Sequence, residues 1–244
     1  MPELKDRDAM ANDRRRAARG SGSAEASAEA LERVLAELAP SWAAVAAVPV
    51  AEAEPLHPDE TTFVARAVAS RQAEFAAGRT AARKALARLG CGPLPIPVGA
   101  QRAPVWPEGF IGSITHTGGW AAAIVARAAP GRALGLDIEQ NGRVTDDIAF
   151  SIRAAGEWLR PEETAALAPG GYAPETLRFA AKEAAFKAYW PANRRMLGFS
   201  DTRVGFLPPR VLLPVSAPPL NGSRHMPFAY GRSGPLVVAL AAFG

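Results

Sequence analysis

The sequence predicts a soluble α+β protein in which helices and short strands occur in two successive blocks. Its 244 residues allow one large domain or two small ones. The composition is 48% hydrophobic and 21% charged, which is close to the globular average and disfavours collagen, coiled-coil and wholly disordered classes. Because strands and helices do not alternate regularly, two α+β halves are expected in place of an orderly parallel βαβ sheet.

The first block follows an N-terminal segment, residues 1–30, that is rich in Ala, Ser, Gly and charge and lacks an apolar period. We expect this segment to be a disordered extension. Residues 31–38 then carry leucine and valine at helical spacing, and Pro40 ends the helix. Residues 42–50 are typical of a strand, and residues 59–89 have one long helical pattern.

Prolines make the next segment, residues 91–109, an irregular connection before a hairpin and a further strand. The strand-like segments are Ile111–Thr115, Ala121–Arg127 and Leu134–Gln140. The helical candidates of the second block are Asp146–Trp158, Pro161–Leu167 and Pro174–Trp190. The final strands are Thr202–Leu207, Arg210–Val215, Pro227–Gly231 and Leu236–Phe243. We therefore expect an N-terminal lobe of residues 31–140 and a C-terminal lobe of residues 141–244.

Cysteine and histidine usage excludes several kinds of site. Cys91 is the only cysteine and there are three histidines, so neither an internal disulfide nor a multi-cysteine zinc site can form. No apolar run approaches the roughly 18 residues of a membrane span, and the charged N-terminus does not resemble a signal peptide. We expect a cytoplasmic protein without a membrane span, in which any metal has oxygen ligands.

The net charge of +4 fits a phosphorylated or acidic partner. Residues 1–30 contain six basic and six acidic residues, so the whole excess lies in the remainder of the chain. The basic cluster Arg14–Arg19 and the arginine-rich segment Arg66–Arg88 leave open an alternative function as a nucleic-acid-binding protein.

The segment Ala133–Glu139 places acidic side chains together. On a strand, Gly135, Asp137 and Glu139 share one face, opposite the apolar side chains. Two neighbouring carboxylates repel each other unless a cation or base neutralises them. A divalent metal is one solution, and the solvent-exposed face of an ordinary half-buried strand is the other.

A helical segment supplies a third carboxylate. Glu183 and Lys187 lie four residues apart and share a helix face. Glu183 could complete an all-oxygen site with Asp137 and Glu139, which is the ligand type that magnesium prefers, and Lys187 could contact the same phosphate. The alternative is a surface ion pair between Glu183 and Lys187.

The turn Gly112–Trp120 contains His116 among Ser, Thr and Gly residues. Such a histidine can donate to a phosphate, and the glycines let a ligand approach the backbone, although a simple polar turn explains the pattern equally well. Ser113 lacks the Gly-x-Ser-x-Gly elbow of a hydrolase, so nucleophilic serine catalysis is disfavoured.

Together these segments resemble the signature of the 4′-phosphopantetheinyl transferase superfamily, in the monomeric two-lobed class that includes the siderophore (enterobactin) synthase type. The three matching boxes are Gly112–His116, Gly135–Glu139 and Phe179–Ala188. Two upstream segments, Arg71–Arg79 and Arg102–Pro107, resemble further segments of the siderophore-type branch. The resemblance implies a pseudo-twofold pair of similar α+β lobes with the active site between them. Thr115 stands where much of the family has serine, which preserves the hydroxyl.

The resemblance implies an enzyme of the holo-[acyl-carrier-protein] synthase type. Such an enzyme transfers the 4′-phosphopantetheine group of coenzyme A to a serine of an acidic acyl, peptidyl or aryl carrier protein, requires Mg²⁺ and releases adenosine 3′,5′-bisphosphate. The expected pathway is siderophore, nonribosomal-peptide or other secondary-metabolite synthesis, with no nucleic-acid partner.

By the same resemblance, Asp137, Glu139 and Glu183 would hold Mg²⁺, and Lys187 would contact a diphosphate oxygen. We favour Glu183 as the general base for the carrier serine. The expected coenzyme A ligands, with the 3′-phosphate at His116, are Arg71, Arg79, Arg83, Arg102, Thr115, His116 and Lys187. A magnesium-dependent phosphohydrolase that uses the same three carboxylates on another phosphate ester is the alternative enzyme.

Overall fold

The structure, a computed structural model, describes residues 28–154 and 156–244 and contains two antiparallel β-sheets. The strands are β1 (Ala43–Pro49), β2 (Phe110–Thr117), β3 (Trp120–Arg127), β4 (Ala133–Gln140), β5 (Arg203–Phe206), β6 (Pro209–Leu212), β7 (His225–Ser233) and β8 (Leu236–Phe243). The α-helices are α1 (residues 28–38), α2 (Pro58–Val64), α3 (Ala69–Arg88), α4 (Asp146–Ile152), α5 (Pro161–Leu167) and α6 (Pro174–Asn193). The predicted α+β class is confirmed.

The first sheet has the strand order β1-β3-β2 and packs against α3. Gly118 and Gly119 join β2 to β3 with φ of 55° and 85°, and positive φ at both positions is the requirement of a two-residue type I′ turn. The buried face of α3 consists largely of alanine, so the helix approaches the sheet closely.

The single long helix predicted for residues 59–89 is instead two helices, α2 and α3. A capping box between His57 and Glu60 begins α2. The buried Glu60 carboxylate also accepts hydrogen bonds from Arg83 of α3 and from the backbone amide of Ile96. These tertiary bonds hold α2 beside α3, and the chain between the two helices, residues 65–68, interrupts the helical pattern.

The second sheet has the strand order β4-β8-β7-β6-β5 and packs against α6. Because β4 pairs along its whole length with β8, it belongs to this sheet. The predicted lobe boundary after residue 140 would separate β4 from its partner strand. The division between the two sheets lies at residues 128–132, between β3 and β4.

Helix α1 joins the two sheets on the face opposite α3 and α6. Leu31 and Leu35 are fully buried in one apolar cluster that contains residues of both sheets, among them Ile124 of β3 and Leu136 of β4. Residues 28–30, which the sequence assigned to a disordered extension, are helical. Its remaining residues, including the Arg14–Arg19 cluster, lie outside the described part of the chain.

A buried ion pair explains why α4 ends at Ile152, short of the predicted Trp158. Lys182 of α6 donates 2.7 Å to a Glu157 carboxylate oxygen and 2.6 Å to the Ile152 carbonyl. Burial alone raises the pKa of Glu157, but hydrogen bonds from Lys182 and from two backbone amides outweigh it and lower that pKa. Lys182 thus ties the irregular chain after α4 to α6.

Gly135 determines how closely β4 approaches α6. A Cβ atom at this position would lie 1.8 Å from the carbonyl oxygen of Ala184 and 2.7 Å from the backbone nitrogen of Ala188. Both atoms belong to the backbone of α6 and cannot move aside like a flexible side chain. The missing side chain therefore allows the strand–helix contact that brings Asp137 to Lys187.

We expect Gly135→Ala to lower the free energy of unfolding by roughly 3 kcal/mol or more, because the methyl group forces β4 and α6 apart. Urea denaturation of the variant measures this loss. The matched control is Gly92→Ala, since a Cβ atom at Gly92 would meet nothing within 4 Å, and its effect should stay within about 1 kcal/mol. Equal stability of the two variants would contradict the close packing at Gly135.

Candidate functional site

The candidate site lies where the two sheets meet, with strand β2 running beside β4. Two buried hydroxyls bridge the strands. Ser113 Oγ accepts a hydrogen bond from the Leu136 amide at 3.0 Å, and Thr115 Oγ1 accepts one from the Ile138 amide at 3.3 Å. Side-chain oxygens thus satisfy the backbone donors of β4 that a neighbouring strand would otherwise satisfy.

Asp137 is the most connected carboxylate of the site. Its Oδ1 accepts a hydrogen bond from Lys187 Nζ at 2.6 Å and from Thr115 Oγ1 at 2.9 Å. Its Oδ2 is buried and has no hydrogen-bond partner. A buried acceptor without a donor is unfavourable, so binding of a hydrogen-bond donor or a cation to this oxygen would be stabilising.

Glu139 and Glu183 lie near Asp137 on two different elements. Glu139 Oε2 accepts a 3.2 Å hydrogen bond from Thr117, and Glu183 Oε2 lies 4.0 Å from Lys187 Nζ. Burial raises the pKa of Glu139, and the charge of Asp137 raises it further. Burial also raises the pKa of Glu183, where Lys187 opposes the shift and Asp137 adds to it. Negative charge is therefore concentrated here.

Lys187 is the cation that partly neutralises these carboxylates. Burial by itself lowers its pKa, but the carboxylates of Asp137 and Glu183 outweigh burial, and the pKa lies above the ordinary lysine value. Lys187 stays protonated and balances one of the three negative charges. The predicted Glu183–Lys187 pair is present, but the shorter bond of Lys187 is to Asp137.

The three predicted metal ligands lie close enough for Asp137 to shift the pKa of both glutamates, but they do not form a preformed metal site. Nowhere in residues 28–154 or 156–244 do three histidine, cysteine, aspartate or glutamate side chains form a ready-made metal-binding group. The donors still suit a hard cation, since carboxylate oxygens are what Mg²⁺ prefers and Asp137 Oδ2 lacks a partner. Water and phosphate oxygens would have to supply the other ligands.

His116 marks the opposite end of the site, where β2 faces α3. Its Nε2 contacts Arg71 Nη1, and its Nδ1 lies 3.6 Å from Glu74 Oε2. Burial lowers the pKa of His116, and the neighbouring Arg71 lowers it further. Sequence patterns alone did not single out Glu74 as a site residue, although its position one helical turn after Arg71 was the available signal.

The other predicted arginines have different environments. Arg79 is buried, donates 2.7 Å to the Ile96 carbonyl and lies over the Phe75 ring, and burial lowers its pKa to about 10. Arg102 is exposed at the mouth of the site. Arg83 does not line the site, because its guanidinium binds the buried carboxylate of Glu60. Its role in coenzyme A binding stays a prediction.

Two adjoining cavities run along the β2–β4 junction. The smaller, of about 380 Å³, is lined by both charged ends of the site, including Arg71, His116 and Asp137. The larger, of about 750 Å³, is more apolar and is lined by aromatic residues that include Trp106, Phe186 and Trp190. Glu183 and Lys187 line both cavities and therefore lie where the two meet.

A cationic pocket beside clustered carboxylates, set between two α+β lobes, defines a class of enzyme that handles a phosphorylated substrate. Family models for the 4′-phosphopantetheinyl transferase N-terminal domain and for the 4′-phosphopantetheinyl transferase superfamily match residues 59–126 and 133–213. The gap between the two matches falls at the division between the sheets. Within the described chain, no helix has the length and apolar character needed to cross a membrane.

Individual relatives agree with the family models. The chain is 38% identical to 4′-phosphopantetheinyl transferase Svp of Streptomyces mobaraensis over 224 residues, covering 85% of this chain and 89% of the relative. It is 36% identical to PptT of Mycobacterium tuberculosis, covering 61% and 64% of the two chains. It is 40% identical to enterobactin synthase component D of Escherichia coli, covering 48% and 54%.

The chain belongs to the 4′-phosphopantetheinyl transferase superfamily. This membership confirms the predicted enzyme class, the two-lobed fold, coenzyme A as the substrate and carrier proteins as the acceptors. The resemblance recognised in the sequence boxes therefore holds for most of the chain.

We expect Thr115→Val to lower the free energy of unfolding by about 1–3 kcal/mol, since it leaves the Ile138 amide without its acceptor and removes a donor to Asp137. Valine retains the branched shape of threonine, so the loss reports on the hydroxyl. Urea denaturation is the measurement, with Thr62→Val on the exposed face of α2 as the matched control. A Thr115→Val protein as stable as the control would show that the hydroxyl bridge contributes nothing.

Proposed function

We propose that the carboxylates of Asp137, Glu139 and Glu183 hold Mg²⁺ at the diphosphate of coenzyme A. The observation that carries this assignment is the buried, unpartnered Oδ2 of Asp137, next to two carboxylates whose pKa values burial and Asp137 raise. When bound, a divalent cation neutralises the negative charge that develops on the departing phosphate oxygen.

Glu183 is the proposed general base. The serine hydroxyl of the carrier attacks the phosphorus that bears the pantetheine arm, and the bond from this phosphorus to the bridging oxygen breaks. Adenosine 3′,5′-bisphosphate leaves with that oxygen, and the serine proton passes to Glu183. Its position where the two cavities meet supports this role.

Lys187 orients the reacting diphosphate in this proposal. Its ammonium is already directed to the carboxylates by Asp137, and it faces both cavities. A protonated lysine donates to a phosphate oxygen as a point charge, and the charge-assisted hydrogen bond is stronger than a neutral one. The larger, apolar cavity beyond Lys187 has room for the pantetheine arm.

The 3′-phosphate of coenzyme A is assigned to the histidine end of the smaller cavity. His116 and Arg71 are in contact there, and Thr115 and Arg79 also line the cavity. Arg102, at the end of the short 3₁₀ helix Ala100–Arg102, is exposed and also lines this cavity. Cations and donors converging on one cavity are the usual means of binding a phosphate.

The physiological acceptor is proposed to be an acidic carrier protein of siderophore or other secondary-metabolite synthesis. The similarity to enterobactin synthase component D and the net charge of +4 support this choice. A cytoplasmic location is part of the proposal, because the single cysteine, Cys91, fits a reducing compartment.

We expect Asp137→Asn to reduce transfer on the order of a hundredfold with the fold retained, because the amide replaces a charged metal ligand. The measurement is mass spectrometry of a carrier protein incubated with coenzyme A and a series of Mg²⁺ concentrations. Only transfer adds the phosphopantetheine mass, so cleavage of coenzyme A without this addition would favour the phosphohydrolase alternative.

Asp59→Asn is the matched control for the metal assignment, since it removes one negative charge from an exposed residue. The control should keep the wild-type rate and Mg²⁺ requirement. An Asp137→Asn protein with the same rate and Mg²⁺ requirement as this control would overturn the metal assignment.

We expect His116→Ala to raise the KM for coenzyme A about tenfold, because a charge-assisted contact to the 3′-phosphate is lost. The KM for 3′-dephospho-coenzyme A should change little, since that substrate lacks the phosphate. Steady-state kinetics with both substrates gives the comparison. An equal rise in KM for the two substrates would show that His116 does not bind the 3′-phosphate.

A further inference from the structure

Glu74 is a carboxylate in the middle of the cationic end of the smaller cavity. Its Oε2 lies 3.5 Å from Arg71 Nη1 and 3.6 Å from His116 Nδ1. It lines the same cavity as both partners. Neither the metal assignment nor the proton transfer uses this residue, and a carboxylate at this place opposes the approach of a phosphate.

The fold holds Glu74 against His116. Gly78, one turn along the same face of α3, packs so closely on β2 that a Cβ atom there would lie 2.9 Å from Ile114 Cγ2. His116 follows Ile114 by two residues and shares its face of β2. The close approach at Gly78 therefore brings the Glu74 side chain to the imidazole.

Glu74 differs from the other acidic residues of the cavity in the groups that it faces. Asp137 and Glu183 face Lys187 at the far end, whereas Glu74 faces the two groups assigned to the 3′-phosphate. In the free protein, one Glu74 carboxylate oxygen lies close to both Arg71 and His116, as a phosphate oxygen would. A phosphate that binds Arg71 and His116 must share these two partners with Glu74 or displace it.

We infer that Glu74 is a specificity-determining residue that competes with the 3′-phosphate for Arg71 and His116. This inference rests on the proposed function, because it needs the 3′-phosphate at this end of the cavity. The competition weakens binding of any ligand that carries the 3′-phosphate, and the product adenosine 3′,5′-bisphosphate is one of them. Glu74 thereby limits the lifetime of the product complex.

The test is calorimetric titration of the full chain with adenosine 3′,5′-bisphosphate and with adenosine 5′-monophosphate, at one fixed Mg²⁺ concentration. Glu74→Gln keeps the side-chain volume and an acceptor oxygen but removes the charge. We expect its Kd for the bisphosphate to fall about threefold to tenfold, from the loss of one repulsion at short range in a partly solvated site. Its Kd for the monophosphate should stay within about twofold.

Glu37→Gln on the exposed face of α1 is the control for net charge and should leave both Kd values unchanged. The gain of Glu74→Gln should shrink as salt is raised, because Glu74 is partly exposed. If Glu74→Gln merely disturbed the structure of the cavity, binding of both nucleotides would weaken together. Unchanged or weaker binding of the bisphosphate, or equal tightening of both nucleotides, would overturn the inference.

The same titration tests the underlying site separately. If neither the wild type nor Glu74→Gln binds the bisphosphate more tightly than the monophosphate, the 3′-phosphate assignment itself fails. If the wild type does discriminate but Glu74→Gln matches it for both nucleotides, only the role of Glu74 fails.

Discussion

The site depends on the carboxylate of Asp137, which links three elements of the fold. One oxygen accepts from Lys187 of α6 and from Thr115 of β2, while its own backbone belongs to β4. The bond from Lys187 forms because Gly135 lets β4 lie against the backbone of α6. The other oxygen is buried without a partner. A charged group that the fold satisfies only in part is ready to accept a ligand, at a cost in stability that the surrounding bonds offset.

The smaller cavity has two charged ends of different composition. Asp137 and Glu183 lie with Lys187 at one end, and Arg71 and Glu74 lie with His116 at the other. Coenzyme A carries a 3′-phosphate and a separate diphosphate, and in the proposed binding mode each of these groups meets a different end of the cavity. The two ends come from the two lobes, since Arg71, Glu74 and His116 lie on α3 and β2, whereas Asp137, Glu183 and Lys187 lie on β4 and α6.

Local sequence patterns predicted much of this arrangement. The period of two in β4 correctly placed Gly135 and Asp137 on the face opposite Leu136 and its apolar neighbours, because side-chain alternation depends only on the strand itself. Helical spacing likewise placed Glu183 and Lys187 on one face. Spacing could not show that Lys187 binds Asp137 more closely than Glu183, since that preference comes from the packing of α6 on another element.

The sequence by itself determined the strand faces, the helix faces and the family boxes, all of which follow from residues close together in the chain. The tertiary structure alone decided which charges are available to a ligand. Arg79 and Arg83 lie one turn apart on α3, yet only Arg79 reaches the cavity, because Arg83 is bound by the buried Glu60 of α2. The contact of Glu74 with His116 likewise depends on the packing of α3 against β2. The partner of a long charged side chain is set by which distant elements pack beside it, and no local period encodes that choice.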